Sequence, residues 1–285
     1  MNKLSKILRK NLISIAITFI VLVIGFSMAY PYIWMFFTSL RGTANELFGT
    51  NIIDYFFMKN FSFESYKSLH TIGTISIFKL LFNSIITSFG ATIVNLILCI
   101  LVADTLARKN FFGKNAILFF FLATMIIPQE VIAVPLYLVL NEIGLFNTYI
   151  GLILSLAAEG FSIIILYRFF KEIPKEIIES AKLDGADDFR IIKNIILPLG
   201  RSAIFTVLIL QFITTWNSFI IPLIASRGEK MYTLQIGMAF FNTSWDIDFR
   251  AIMAMGTIIT LPIIIIFIFT QRYVIKGITS GAVKQ

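Results

Sequence analysis

Residues 12–37 contain no charged side chain. A helix needs about 20 apolar residues to cross the hydrocarbon core of a bilayer. Five further apolar segments of that order follow, at 81–106, 115–140, 147–170, 202–225 and 251–274. Backbone N–H and C=O groups find no water in hydrocarbon, so a crossing segment must satisfy its own hydrogen bonds. A chain that repeats such a run six times is therefore constrained to an all-α integral membrane protein with six transmembrane helices. Composition agrees: 58% of residues are hydrophobic and 14% charged, against about 25% charged in a soluble domain.

The basic start, Lys3, Lys6, Arg9 and Lys10, imitates a secretory signal, and Ser27-Met28-Ala29 imitates its cleavage site. The apolar run continues past that site and exceeds the roughly 7–15 residues of a signal core, so it is expected to be an uncleaved first span. The loops defined by six spans sort the 24 Lys and Arg unequally: seventeen fall on the side of both termini and seven on the other. The positive-inside rule places the seventeen, and both termini, in the cytoplasm. The net charge of +8 is thereby assigned to topology and membrane lipid head groups, not to nucleic acid. Cys99 is the single cysteine and His70 the single histidine, so no disulfide framework, no metal site and no histidine-based triad is expected. Residues 38–80 and 226–250 are the long outer segments. They mix polar and aromatic residues and fit either interfacial loops or a surface that receives an external partner.

Between spans four and five, residues 179–200 read ESAKLDGADDFRIIKNIILPLG, with seven charged residues between two greasy blocks. Upstream, Pro174 suits the first turn of a helix, and Glu176 is favoured near the positive helix N-terminus. Ile173, Ile177 and Ala181 recur at helical spacing with Ile178 beside them. Gly185 suits a left-handed helix end. Asp187 or Asp188 caps a second short helix, which carries Phe189, Ile192 and Ile195 or Ile196 and is expected to end at Pro198. The expected shape is helix, glycine turn, helix. An amphipathic loop resting on lipid is the alternative. Acids among the bases, and a rigid turn, favour a groove in a soluble protein instead.

These residues carry a resemblance. Glu179-Ser180-Ala181, then Asp184-Gly185-Ala186, then Ile195-x-Leu197-Pro198, resemble the EAA motif of ABC importer permeases. Ser180 stands where the family usually has alanine. Asn83-Ser84, Ala107-Arg108, Ile127-Pro128 and Pro135-Leu136-Tyr137 resemble the same family, as does Trp216-Asn217-Ser218-Phe219 followed by Pro222-Leu223. The ending from Gln271-Arg272-Tyr273 through Lys276-Gly277 and Gly281 to Lys284 is similar to the carbohydrate branch, typified by the smaller permease subunit of the maltose transporter. The resemblance implies a type I importer fold over residues 76–285, a coupling loop at 171–200, and an N-terminal span with its outer loop over 1–75. It implies a second permease subunit, a dimer of ATP-binding subunits that holds ATP and Mg, and an extracellular or periplasmic sugar-binding protein that delivers a carbohydrate. It also implies a multi-pass protein of a bacterial inner membrane, with the C-terminal Lys276, Gly277, Gly281 and Lys284 against the ATPase. No cofactor is expected on this chain, which lacks the phosphate-binding pattern G-x-x-x-x-G-K-[ST], so it is expected to be a transport subunit and not an enzyme.

Four residues inside spans are marked. Glu130 follows Pro128-Gln129, and a second proline, Pro135, implies a bent or broken helix there. Glu130 either lines a polar route for sugar hydroxyls or is solvated near the outer interface. Glu159, before Gly160, faces the route or pairs with a partner subunit. Trp216 and Asn217 fit a sugar site, which combines aromatic faces with amides, or an interhelical contact. Asp104 is placed to pair with Arg108, four residues on. An ion-coupled secondary transporter would need a carboxylate relay and broken-helix repeats; Glu130 and Glu159 are the only candidates and no repeat is present. A membrane-embedded enzyme would need catalytic pairs the sequence lacks.

Overall fold

The structure is a computed structural model that describes residues 3–42, 61–69, 71–72, 75–228, 230–241 and 249–282. Its described residues are almost wholly helical. Two compact units are present, one formed by residues 1–70 with 242–260 and the other by 71–241 with 261–285.

The first unit contains helix α1 (Lys3–Ser39), which accommodates Pro31 within its length, and the short α2 (Glu64–Ser68). Ser39 Oγ and Tyr66 OH lie 2.7 Å apart, and an Arg250 guanidinium nitrogen donates to the Gly42 carbonyl at 2.7 Å. The last helix, α13 (Phe249–Ala282), starts in this unit. A side chain at Gly256 would meet Met35 Sδ at 2.8 Å, so glycine sets how closely α13 approaches α1 here.

The second unit opens with a hairpin of two-residue strands, β1 (Thr71–Ile72) and β2 (Ile75–Ser76), paired antiparallel. Helix α3 (Ile77–Arg108) follows and is the centre of the unit. Next come α4 (Lys114–Thr124), α5 (Gln129–Glu142), α6 (Tyr149–Ala157) and α7 (Phe161–Lys171). Residues 171–200 hold α8 (Lys175–Leu183) and α9 (Asp188–Ile191), then a π-helical turn (Ile192–Ile196) that runs into α10 (Leu197–Trp216). The unit is completed by α11 (Ile220–Ala225), α12 (Leu234–Phe241) and the remainder of α13.

Along α3, Asn83, Thr87, Ala91, Asn95, Cys99 and Ala103 recur every four residues, and all are buried. This small and polar stripe is what a membrane helix presents to other helices, because apolar side chains are equally content in lipid. Small residues let backbones approach: at Gly90 a Cβ would stand 2.7 Å from Ile153 Cδ1. The polar ones make bonds. The Asn83 amide donates to the carbonyls of Lys230 and Tyr232 at 3.0 and 2.8 Å, and its oxygen accepts from Tyr149 OH at 2.6 Å. Ser84 Oγ accepts from the Leu234 amide at 2.8 Å.

Among the described residues, four helices are by length and composition able to cross a membrane, in the ranges 11–39, 77–108, 188–216 and 249–273. Two bent pairs raise the number to as many as six: α4 with α5, at 104°, and α6 with α7, at 52°. The break expected of the third span falls at residues 125–128, where Pro128 has an extended backbone. α5 then continues through Pro135, so only the first proline marks the bend. The expected end of a helix at Pro198 is corrected. The chain stays helical from Asp188 to Trp216, and the Leu197 amide reaches back five residues to the Ile192 carbonyl. A π turn shifts the hydrogen-bond register by one residue. Pro198, placed at the start of α10, then follows the register change without a break. The expected fifth span, 202–225, is interrupted after Trp216, and α11 is a separate piece.

Candidate coupling loop and membrane cavity

Residues 171–200 form the knob that the sequence predicts. Glu176 lies in the first turn of α8. The end of α8 is a Schellman arrangement, with the Gly185 amide donating to Lys182 O and the Ala186 amide to Ala181 O at 3.0 and 2.9 Å. Gly185 has φ +80° and open space where a Cβ would sit, so conformation alone calls for glycine. Asp187 Oδ1 then accepts from the Arg190 amide at 2.7 Å and caps α9. Ser180, the departure from the family pattern, donates its hydroxyl to the Glu176 carbonyl at 2.8 Å and so satisfies itself within the helix.

The knob is bolted to the spans. Ile173, Ile178, Ile191 and Ile196 are buried in one apolar cluster with Cys99, Ala103, Leu166, Phe170 and Val207 of α3, α7 and α10. Ala181, Ala186 and Ile195 pack against the same cluster, and Leu197 is half-buried. Glu179, Asp184, Gly185 and Pro198 are exposed. Ile177 and Phe189, read as members of the inner stripe, are instead exposed; Ile178 and Ile191 take the inner places. Leu183 (89% exposed) and Phe189 (71% exposed) flank the glycine turn. Leu183 went unremarked in the sequence. Its signal was a leucine beside a glycine turn in an otherwise charged stretch.

An ionic tie adds to the packing. Asp104 and Arg108 form the expected ion pair, with Nε donating at 2.6 Å. Arg108 and Lys109 also reach Asp188 of α9, at 3.4 and 3.2 Å. This second link, between the loop after α3 and the knob, joins residues about eighty apart and has no local signal in the sequence.

The break between α6 and α7 leaves the last carbonyls of α6 without partners in the helix, because Ala158 leaves helical geometry, and two of them receive side-chain donors. Gln211 Nε2 donates to the Leu156 carbonyl at 2.9 Å, and Asn95 Nδ2 to the Ala157 carbonyl at 2.8 Å. On the far side, Glu159 Oε2 accepts from the Ser162 hydroxyl at 2.6 Å and its amide at 3.3 Å, capping α7. Gly160 meets α4: a Cβ there would stand 2.7 Å from Thr124 Oγ1 and 2.9 Å from the Phe121 carbonyl. The two breaks thus meet, and a cavity of about 840 Å³ opens beside them. Its polar lining comes from Thr124, Gln129, Ser155, Glu159, Thr214, Thr215 and Ser218, within a mostly apolar wall.

Of the four marked residues, Glu159 lines this cavity. Glu130 is exposed in the first turn of α5, next to the lining residue Gln129. Trp216 is 1% exposed and stacks on Phe212 with ring centres 5.5 Å apart. Asn217 is exposed and ends α10. Lys276, Gly277 and Gly281 fall on the backbone of α13, and Lys284 lies outside the described residues. Among the described residues, no group of His, Cys, Asp and Glu is arranged to hold a metal ion.

Residues 95–280 match the family of the binding-protein-dependent transport system inner membrane component. The chain belongs to this family. Membership makes it a multi-pass membrane transport component. Within it, the chain is 31% identical over 272 residues, 95% of each protein, to the arabinooligosaccharides transport system permease protein AraQ of Bacillus subtilis. It is 30% identical over 258 residues, 90% of this chain and 91% of the relative, to the trehalose/maltose transport system permease protein MalG of Thermococcus litoralis. In fold it is similar to a chain of a bacterial ABC transporter involved in the import of the acidic polysaccharide alginate. The TM-score is 0.79 at 20% identity, covering 93% of this chain and 98% of the other. The matched range contains both helix breaks, the knob and the cavity-lining residues.

Proposed function

We propose that the chain is one permease subunit of an ATP-driven, binding-protein-dependent importer of sugars or oligosaccharides. It crosses a bacterial inner membrane six times with both termini in the cytoplasm. It contributes part of the translocation pore and docks a separate ATPase through the loop 171–200. The carbohydrate class rests on relatives named for arabinooligosaccharides, trehalose and maltose. A second permease subunit completes the pore, and an external binding protein delivers the sugar. ATP and Mg reside on the ATPase subunits. Lys276, Gly277, Gly281 and Lys284 are assigned to contact with that pair, and Glu159 to the sugar route with Glu130, Trp216 and Asn217 around it.

One observation carries the docking assignment. The knob exposes Leu183 and Phe189 on either side of Gly185, yet its inner face is locked to the core, and α9 runs without a break into α10. An exposed apolar pair on a rigid support suits a protein groove. A push on α9 is then transmitted along one continuous helix to Trp216, beside the cavity residues Thr214, Thr215 and Ser218. Closure of the ATPase pair shifts the pore between two arrangements by this lever.

The test is co-purification with uptake. Gly185→Pro, Glu179→Lys and Leu183→Asp each leave the chain inserted but reduce ATPase recovery and sugar uptake. Normal recovery and uptake in all three would show that the loop is not the dock. Uptake that collapses with an uncoupler while ATP is maintained would point to ion coupling instead.

A further inference from the structure

We infer that the turn between α3 and α4 forms a binding site for one anionic phospholipid, with the phosphate held between Lys114 and Lys171. The turn reads Lys109-Asn110-Phe111-Phe112-Gly113-Lys114. Gly113 has φ +87° with open space around it, and it reverses the chain so that α4 starts at once. A pocket of about 270 Å³ lies in this turn, lined by Asn110, Phe111, Gly113, Lys114, Asn115 and Ala116.

Lys114 lines it, and Lys171 shares an aromatic neighbour with Lys114. The ammonium groups of Lys114 and Lys171 lie 6.0 and 5.8 Å from the centre of the same Tyr167 ring. Lys114 Nζ also donates to the Lys109 carbonyl at 3.1 Å and to Asn110 Oδ1 at 3.5 Å, which ties it to the turn that lines the pocket. Asp188 balances Lys109 and Arg108. Among the described residues no carboxylate stands within ion-pair distance of Lys114 or Lys171, whereas Arg108 and Lys109 are paired. Like charges gathered on one ring repel, and an anion between them relieves that repulsion.

The neighbouring apolar surface selects the kind of anion. Phe112 is fully exposed at the tip of the turn, and Phe119 and Phe120 are exposed along α4. Free phosphate or an acidic peptide would leave those rings in water. A phospholipid covers them with its acyl chains while its phosphate meets the lysines. The ends of α3 and α7 and the start of α4 come together here, as expected at the head-group level of a bilayer. The inference needs only that the chain is membrane-embedded and does not depend on what it transports.

The probe is phosphatidylglycerol, added to the full chain purified in neutral detergent with whatever subunits accompany it. Phosphatidylcholine and inorganic phosphate are the comparison arms. Native mass spectrometry reads the retained lipid. Phosphatidylglycerol is expected to be retained over phosphatidylcholine, with selectivity falling about fivefold for Lys114→Gln or Lys171→Gln and roughly 25-fold for both, at about 1 kcal/mol per charge near the head groups. The Lys114→Arg/Lys171→Arg pair is expected to retain it. Phe112→Ser, which leaves the helices intact, is expected to weaken both lipids and so serves if the double glutamine variant does not fold. Equal retention of the two lipids, or selectivity unchanged in the variants, overturns the site. Displacement of phosphatidylglycerol by millimolar inorganic phosphate shows a free-anion site and also overturns it.

Discussion

Replacing Gln211 by alanine removes one of the two amides that hold the open end of α6. The side chain is buried and its bond to the Leu156 carbonyl is 2.9 Å. In soluble proteins a buried acceptor stripped of its donor costs about 1–3 kcal/mol. Interhelical hydrogen bonds in membrane proteins average about 0.6 and reach about 1.7 kcal/mol, because the unfolded state in the membrane also finds partners. The acceptor here is a carbonyl at a helix break, which an unbroken helix would satisfy by itself, so the loss belongs near the middle of that range, at about 1 kcal/mol. The chain carries its own reporter. Cys99 is its single cysteine, is buried, and lies one turn from Asn95, with Sγ and Oδ1 3.5 Å apart. Its rate of maleimide modification under native conditions reads local opening. Gln211→Ala is expected to raise that rate about fivefold, since 1.4 kcal/mol is about tenfold. Adding Asn95→Ala, which frees the Ala157 carbonyl, raises it to about 30-fold. Asn95→Ala also disturbs Cys99 directly, so the Gln211 variant decides the matter. A rate unchanged in Gln211→Ala, with an unmoved melting temperature, would refute the claim that the break depends on borrowed donors.

Gly160→Ala is expected to destabilise by about 1–3 kcal/mol, because the Phe121 carbonyl at 2.9 Å is backbone and cannot swing aside; a melting curve in detergent equal to that of the native chain would contradict this. Gly185→Ala meets no atom and bears only the cost of φ +80°, about 1–2 kcal/mol, so it is expected to weaken ATPase recovery less than Gly185→Pro does in the same pull-down. Asp104→Asn breaks a pair that is nearly buried on both sides and is expected to cost about 3–5 kcal/mol, seen as a large fall in folded yield. Asp188→Asn removes a half-exposed partner worth less than about 1 kcal/mol; its effect on ATPase recovery is expected at low salt and lost at high salt.

Much of the knob was legible because its signals are local. A glycine that must turn left-handed, an aspartate that must cap and an i,i+4 ion pair are each decided within a few residues. Gly185, Asp187 and the Asp104–Arg108 pair stand where such rules put them. Pro198 misled for a related reason: the rule that proline ends a helix holds for α-helical register, and the π turn at 192–196 changes the register just before it. The cavity was less legible. Pro128 announces a bend but does not give its size, and the 104° turn between α4 and α5 decides that Gln129, not Glu130, lines the space. Trp216 and Thr215 adjoin on one helix. Only the packing against Phe212 turns the indole inward while Thr215 borders the cavity.

The polar stripe of α3 was hidden by averaging, since asparagines and serines spread through 32 residues leave the segment strongly apolar. Its meaning depends on the breaks elsewhere. A straight fourth span would satisfy its own carbonyls and have no use for Asn95 or Gln211. A broken one opens space for a polar solute but leaves carbonyls bare in a low-dielectric interior, where each is costly. The donors on α3 and α10 offset that cost at two of those carbonyls, Leu156 and Ala157. The two buried amides, Asn95 and Gln211, and the cavity are therefore tied to one interruption. Straightening α6 into α7 would remove the cavity and the need for the amides together.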